Sequence, residues 1–263
     1  MNLGIQNKRA LITGAEHGLA KAIAVELARE GVLVALVSGN RVKSRHILQA
    51  IGGGAKGHAA LCMDLVREGR AKTLLKRLDN TFGGIDIIVN CLDTYEFTEN
   101  GHTSLKRWRK IFRYNLEIAI EINNVFVPRM KQKGWGRIIN LSSGASMEHA
   151  ATVSYCASKA ALTAYTRCMG RILAIEASNV VMSAVLPGAL LMEGGYWEKT
   201  AREKPRETKA FLRQNSPSGR FGNPEEISPM VVLLCSQQAT YCHGAIISID
   251  GGQARHYNQL ERS

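Results

Sequence analysis

Short β-branched runs alternate with helical periodicity along the chain, and this alternation limits the possible fold more than any other feature. Lys8–Thr13 reads as a strand, followed by a helix over Leu19–Glu30 with Ile23, Leu27 and the small Ala20, Ala24 and Ala28 along one face. Further strands are expected at Val32–Val37, His58–Met63, Ile85–Asn90, Arg137–Ser142, Val181–Leu186 and Gly244–Ile249. Continuously apolar strands separated by helices imply a parallel sheet covered on both faces. Such a sheet takes its ligands beyond the carboxyl ends of its strands. No repeat, low-complexity tract or Pro/Ser linker divides the 263 residues, so a single α/β domain over 1–263 is expected.

Composition excludes several classes. With 45% hydrophobic and 21% charged residues the chain has ordinary globular usage, not that of a disordered or fibrous protein. Apolar runs such as Val32–Val37 fall far short of the ~20 residues of a spanning helix. Met1–Ile5 leads straight into folded sequence, so a soluble cytoplasmic protein is expected, with no membrane contact. The six cysteines (62, 91, 156, 168, 235 and 242) form no CxxC pair and no Cys/His metal spacing. Reduced thiols and no metal site follow. A net charge of +12 fits either simple solubility or an anionic partner.

Two segments carry chemistry. The first strand runs into Thr13-Gly14-Ala15-Glu16-His17-Gly18-Leu19-Ala20 and then a helix. Glycines there let the backbone turn tightly and approach a pyrophosphate at the positive helix N-terminus, as in a dinucleotide site. Further on, Asn140-Leu141-Ser142-Ser143 precedes Tyr155-Cys156-Ala157-Ser158-Lys159. On a helix, Lys159 lies one turn beyond Tyr155 on the same face. An ammonium beside a phenol stabilises the phenolate, which suits general acid/base work. A serine hydroxyl from the preceding strand end would reach the same carbonyl oxygen.

Together these motifs resemble the short-chain dehydrogenase/reductase superfamily, and the resemblance covers nearly the whole chain. Thr13–Ala20 matches the TGxxxGxG loop, with Ala20 in the last glycine position, and Tyr155 to Lys159 matches YxxxK. Asn115, Pro187-Gly188, the run Gly219–Ile227 and Ile249-Asp250-Gly251-Gly252 fall in family order. The resemblance implies a single-domain Rossmann fold, a seven-stranded doubly wound parallel sheet with helices on both faces. It also implies hydride transfer between a nicotinamide cofactor and a carbonyl or alcohol. Tyr155 would handle the oxygen's proton, and Lys159 would hold the nicotinamide ribose and support Tyr155. Asn115 would link Lys159 to solvent through water. Ser143, three residues after Asn140, would orient the substrate oxygen; Ser142, thirteen before Tyr155, is the alternative.

Cofactor contacts are implied for Gly14, His17, Gly18, Leu19, Ser38, Asn40, Arg41, Asp64, Leu65, Asn90, Pro187, Gly188 and Leu190, besides Tyr155 and Lys159. The end of the second strand, Val37-Ser38-Gly39-Asn40-Arg41, lacks a carboxylate for ribose hydroxyls, and no Asp or Glu occurs between Glu30 and Asp64. Arg41, Lys43, Arg45 and His17 instead suit a 2′-phosphate, so NADP(H) is preferred and NAD(H) is the alternative. Two departures from the family pattern bear on the cofactor. Asp93 in Asn90-Cys91-Leu92-Asp93 adds bulk and charge where the family has glycine, and Met192 replaces a threonine. The expected activity is reduction of a ketone or 3-oxoacyl group, similar to β-ketoacyl-(acyl-carrier-protein) reductases. A sugar or polyol dehydrogenase and a catalytically weakened nucleotide-binding or scaffolding member are the alternatives.

The resemblance also locates a substrate lid at about 189–218 and a homodimer or homotetramer built on the helices carrying Asn115 and Tyr155. The basic clusters at Lys106–Arg113 and Tyr196–Arg213 lie on such a helix and on the lid. The first reads as a structural or solvated face and the second chiefly as solvated surface, with recognition of a small or carrier-bound anionic carbonyl substrate as its sharper possibility. No aromatic stacking platform accompanies them, so nucleic acid is not an expected partner.

Overall fold

In a computed structural model, residues 1–16, 18–94, 102–148 and 151–255 are described. Seven strands form one sheet: β1 (Arg9–Thr13), β2 (Leu33–Ser38), β3 (Ala59–Cys62), β4 (Ile87–Asn90), β5 (Gly136–Leu141), β6 (Val180–Pro187) and β7 (Ile246–Ile249). Their order is β3-β2-β1-β4-β5-β6-β7, and every pairing is parallel. All seven expected strands are present. The third is shorter than expected at its start, because His58 uses its ring to accept the Val34 N–H at 3.1 Å.

Alternation along the strands divides the core in two. Ile12, Leu36, Val89 and Ile139 face one side and pack on α1 (Gly18–Arg29), α2 (Arg41–Ala50) and α9 (Pro224–Leu234). Leu11, Val37, Ile88 and Ile138 face the other side, toward α3 (Arg70–Phe82), α5 (Ile118–Lys133) and α6 (Val153–Glu176). The remaining helices are α4 (Leu105–Phe112), which precedes α5 in the chain, and α7 (Tyr196–Glu203) and α8 (Pro205–Asn215), which follow β6. The inner strands are buried on both faces while β3 and β7 at the edges are only half-buried, which explains the uninterrupted apolar runs of the middle strands.

Strand order reverses between β1 and β4, so the loops there diverge and leave a crevice at the carboxyl edge. Gly14 forms part of its floor. With φ at +68°, it lies so close to the next loop that a Cβ would stand 2.5 Å from Leu92 Cα. Among the described residues, no helix is long and apolar enough to cross a membrane.

Candidate active site

A cavity of about 520 Å³ opens at this edge, lined among others by Leu19, Asp93, Ser143, Tyr155, Lys159 and Leu190. Tyr155 and Lys159 come from the first two turns of α6, which is fastened to the strand ends by a buried amide ladder. Asn90 Nδ2 donates to Asn140 and Asn123, Asn140 Nδ2 donates to Thr166 Oγ1, and Asn123 Nδ2 donates to Tyr165. The Asn90 side chain is therefore turned into the ladder that fixes α6.

Lys159 is 1% exposed, and its Nζ donates to the Leu141 carbonyl at 3.0 Å and lies 5.6 Å from the Tyr155 ring centroid. Asp93 reaches the same two side chains. The Tyr155 hydroxyl donates to its Oδ2 at 3.1 Å, and Lys159 Nζ is 3.3 Å from its Oδ1. Cys91 also lines the cavity, but burial pushes its thiol up to about 12, with Lys159 opposing and Asp93 adding to the shift. A thiol so held is neutral at physiological pH and no nucleophile.

The two serines both line the cavity but differ in the bonds they make. Ser142 is buried and its hydroxyl is engaged with the Lys159 carbonyl at 3.1 Å and Thr163 at 2.9 Å. Ser143 is half-buried, and its Oγ accepts from the Ala145 N–H at 3.2 Å. Asn115 stands one layer behind the cavity, in a π-helical turn over Arg113–Glu117 inserted between α4 and α5. Such turns recur at functional sites. Its side chain accepts from Thr94 N, donates to Thr94 O and donates to Ser158 Oγ, so it clamps the residue after Asp93 to the residue before Lys159.

The cofactor residues expected at the other end of the crevice are spread over the β2 and β3 ends. Ser38 is buried, Arg41 is exposed at the first position of α2, and Asn40 caps that helix by accepting from Val42 N and Lys43 N. The β2 end is not free of carboxylate: Glu16 Oε1 accepts from Ser38 Oγ at 2.7 Å and from Asn40 N at 3.1 Å. It comes from the glycine loop, so a search along the strand alone misses it. Asp64 is exposed beside Arg67, and the carbonyls of Leu65 and Val66 accept from the Arg113 guanidinium. Gly18 opens α1, whose first turn holds no acidic residue. Pro187 and Gly188 line the cavity, and Ala189 N donates to Gln253. His17 lies outside the described residues.

The segment from α7 to Phe221 carries an aromatic cluster that the sequence did not single out. Trp197 stacks within 4.1 Å of Phe211 and 5.0 Å of Phe221, and Trp197 and Phe211 line the cavity with Met192. The six basic residues of Tyr196–Arg213 are all exposed and none lines the cavity, as a solvated face requires. The basic side chains of α4 are exposed too, whereas Arg113 turns inward to Glu121 at 2.7 Å.

A nicotinamide dinucleotide fits these residues. The α1 N-terminus and the flush contact at Gly14 suit a pyrophosphate. Asp93 Oδ1 is buried without a hydrogen-bond donor in good geometry, an orphan acceptor on the cavity wall.

The family model described as Enoyl-(Acyl carrier protein) reductase matches residues 14–254. The chain is 31% identical to the 3-oxoacyl-[acyl-carrier-protein] reductase FabG of Aquifex aeolicus, over 96% of this chain and 99% of that one. It is also 31% identical to galactitol 2-dehydrogenase of Agrobacterium fabrum, covering 94% and 98% respectively. L-sorbose reductase from Gluconobacter frateurii, solved in complex with NADPH and L-sorbose, superposes with a TM-score of 0.86 at 26% identity, covering 97% and 99%. Fold, site and relatives agree, and the chain belongs to the short-chain dehydrogenase/reductase family of NAD(P)-dependent oxidoreductases.

Proposed function

We propose that this protein is an NADP(H)-dependent oxidoreductase that reduces a ketone or 3-oxoacyl group to a secondary alcohol, or runs the reverse reaction. The observation that carries the reading is the meeting of Tyr155, Lys159 and Ser143 on one cavity of about 520 Å³. The cofactor, when bound, supplies or accepts the hydride. Tyr155 gives its hydroxyl proton to the carbonyl oxygen, completing the alcohol, or removes it in the reverse direction. Lys159 stabilises the phenolate that remains and holds the nicotinamide ribose. Ser143 orients the substrate oxygen, since Ser142 is occupied within the protein. Asn115 is a positioning residue acting through Thr94 and Ser158.

Preference for NADP(H) is supported by the NADPH in the sorbose reductase complex and by exposed Arg41 and Lys43 at the start of α2. Use of NAD(H) as a second cofactor is favoured by Glu16, whose carboxylate at the β2 end opposes a 2′-phosphate and suits ribose hydroxyls. A carrier-bound or simple ketone with an apolar substituent is favoured by the wall of Leu190, Met192, Trp197 and Phe211. The polyol alternative draws support from the galactitol dehydrogenase likeness. A weakened scaffolding role draws support only from Asp93, which engages both Tyr155 and Lys159.

Association as a homodimer or homotetramer is part of the proposal. It is supported by Ile172 and Ile175 on α6, which are 42% and 78% exposed. Six free cysteines fit a reducing, cytoplasmic setting.

The test is oxidation of NADPH and of NADH with a 3-oxoacyl thioester, an apolar cyclic ketone and a ketose. Turnover is expected with the first two substrates, least with the ketose, and faster with NADPH. No turnover with any pairing overturns the reading, and a ketose preference selects the polyol alternative.

A further inference from the structure

Asp93 does something that the proton transfer at Tyr155 does not by itself require. Its place is fixed from both sides. Cys91 and Leu92 lie flush on Gly14, and Thr94 is held at its N–H and its carbonyl by Asn115. The carboxylate is thus presented from a clamped backbone, with the side chain 37% exposed toward the cavity it lines. Its two oxygens differ. Oδ2 accepts from the Tyr155 hydroxyl at 3.1 Å. Oδ1 is only in charge contact with Lys159 Nζ at 3.3 Å and is buried with no hydrogen-bond donor.

Lys159 complements it. An ammonium has three protons to donate. One goes to the Leu141 carbonyl, and the geometry toward Asp93 falls short of a hydrogen bond. Side by side on the wall therefore stand a donor with protons in hand and an acceptor lacking its donor. That pair matches a vicinal diol, in which one hydroxyl accepts while its neighbour donates. Resting on the nicotinamide reading above, we propose that Asp93 and Lys159 together hold the two hydroxyls of the nicotinamide-side ribose, with Asp93 Oδ1 taking a hydroxyl proton. Asp93 is then a cofactor-binding residue, and with that second donor it grips the Tyr155 hydroxyl less tightly.

Titration calorimetry on the full chain tests this with two probes: NADPH, and 2′,5′-ADP, which carries the adenosine half but no nicotinamide ribose. Asp93→Ala should weaken NADPH about tenfold, the loss of one charge-assisted hydrogen bond. Asp93→Asn, which keeps an acceptor oxygen on the same backbone, should lose less. Neither variant should change affinity for 2′,5′-ADP. Equal or tighter NADPH binding by Asp93→Ala overturns the proposal, as does an equal loss for 2′,5′-ADP, which marks general damage to the crevice. If Asp93→Ala does not fold, Asp93→Asn decides: unchanged or tighter NADPH binding overturns it. Wild-type protein that binds 2′,5′-ADP but not NADPH removes the assignment of Asp93, whereas binding neither these probes nor NADH removes the cofactor reading itself.

Discussion

Asn115→Leu replaces the amide by an apolar side chain of similar volume and separates packing from hydrogen bonding. Three hydrogen bonds are lost, to Thr94 N, Thr94 O and Ser158 Oγ, at 2.9, 3.2 and 3.0 Å. Asn115 is 1% exposed, so water does not replace it easily. At about 1 kcal/mol for each bond, with an added cost for groups left unpaired, the loss is about 3–5 kcal/mol. For a chain of this size each kcal/mol moves Tm by about 2–4 °C, so unfolding followed by circular dichroism should fall by about 10 °C. Below that temperature the variant should still be folded, yet kcat should drop at least about tenfold, because the clamp between Asp93 and the Tyr155–Lys159 turn has gone. A Tm within about 2 °C of wild type, together with unchanged kcat, refutes the clamp.

The serines should part in opposite ways: Ser143→Ala lowers kcat strongly with little change in Tm, while Ser142→Ala chiefly lowers Tm by breaking the contacts to Lys159 O and Thr163. The reverse pattern in steady-state kinetics and melting curves reassigns the catalytic serine. Acid stability has a defined contribution at the start of α9. Arg220 hydrogen-bonds both oxygens of Glu226, which also accepts from Asn223 N, and its carboxyl is pushed down from 4.5 to about 2. Its folded value is below its unfolded one, so this stabilisation is present above about 4.5 and is lost as pH falls through about 2. The Tm gap between wild type and Glu226→Gln should close across that window, and a gap independent of pH contradicts the assignment.

The fold was legible because buried parallel strands need continuous apolar runs, and all seven are visible between Arg9 and Ile249. That Tyr155, Lys159 and Ser143 share one cavity was legible because the spacing of a helical turn and a strand end brings them together. What escaped was contact between distant segments. Glu16 reaches the β2 end across 22 residues to Ser38, and Tyr155 reaches Asp93 across 62, distances in sequence that no periodicity encodes. Asp93 was visible as a departure, but its carboxylate is drawn to the buried Lys159 ammonium only in the folded crevice. The charges of Tyr196–Arg213 were conspicuous and face solvent, while the less conspicuous Trp197 and Phe211 line the cavity.

The central claim is that Tyr155 moves the proton that accompanies hydride transfer. Tyr155→Phe removes one oxygen from a ring that is 7% exposed and leaves Lys159 held by Leu141. NADPH oxidation with a ketone that the wild type turns over should fall by at least about a hundredfold in kcat, the lower end of what a general acid contributes. NADPH affinity, measured by titration on the same preparation, should remain within about tenfold of wild type. Near-wild-type kcat in this variant contradicts the account.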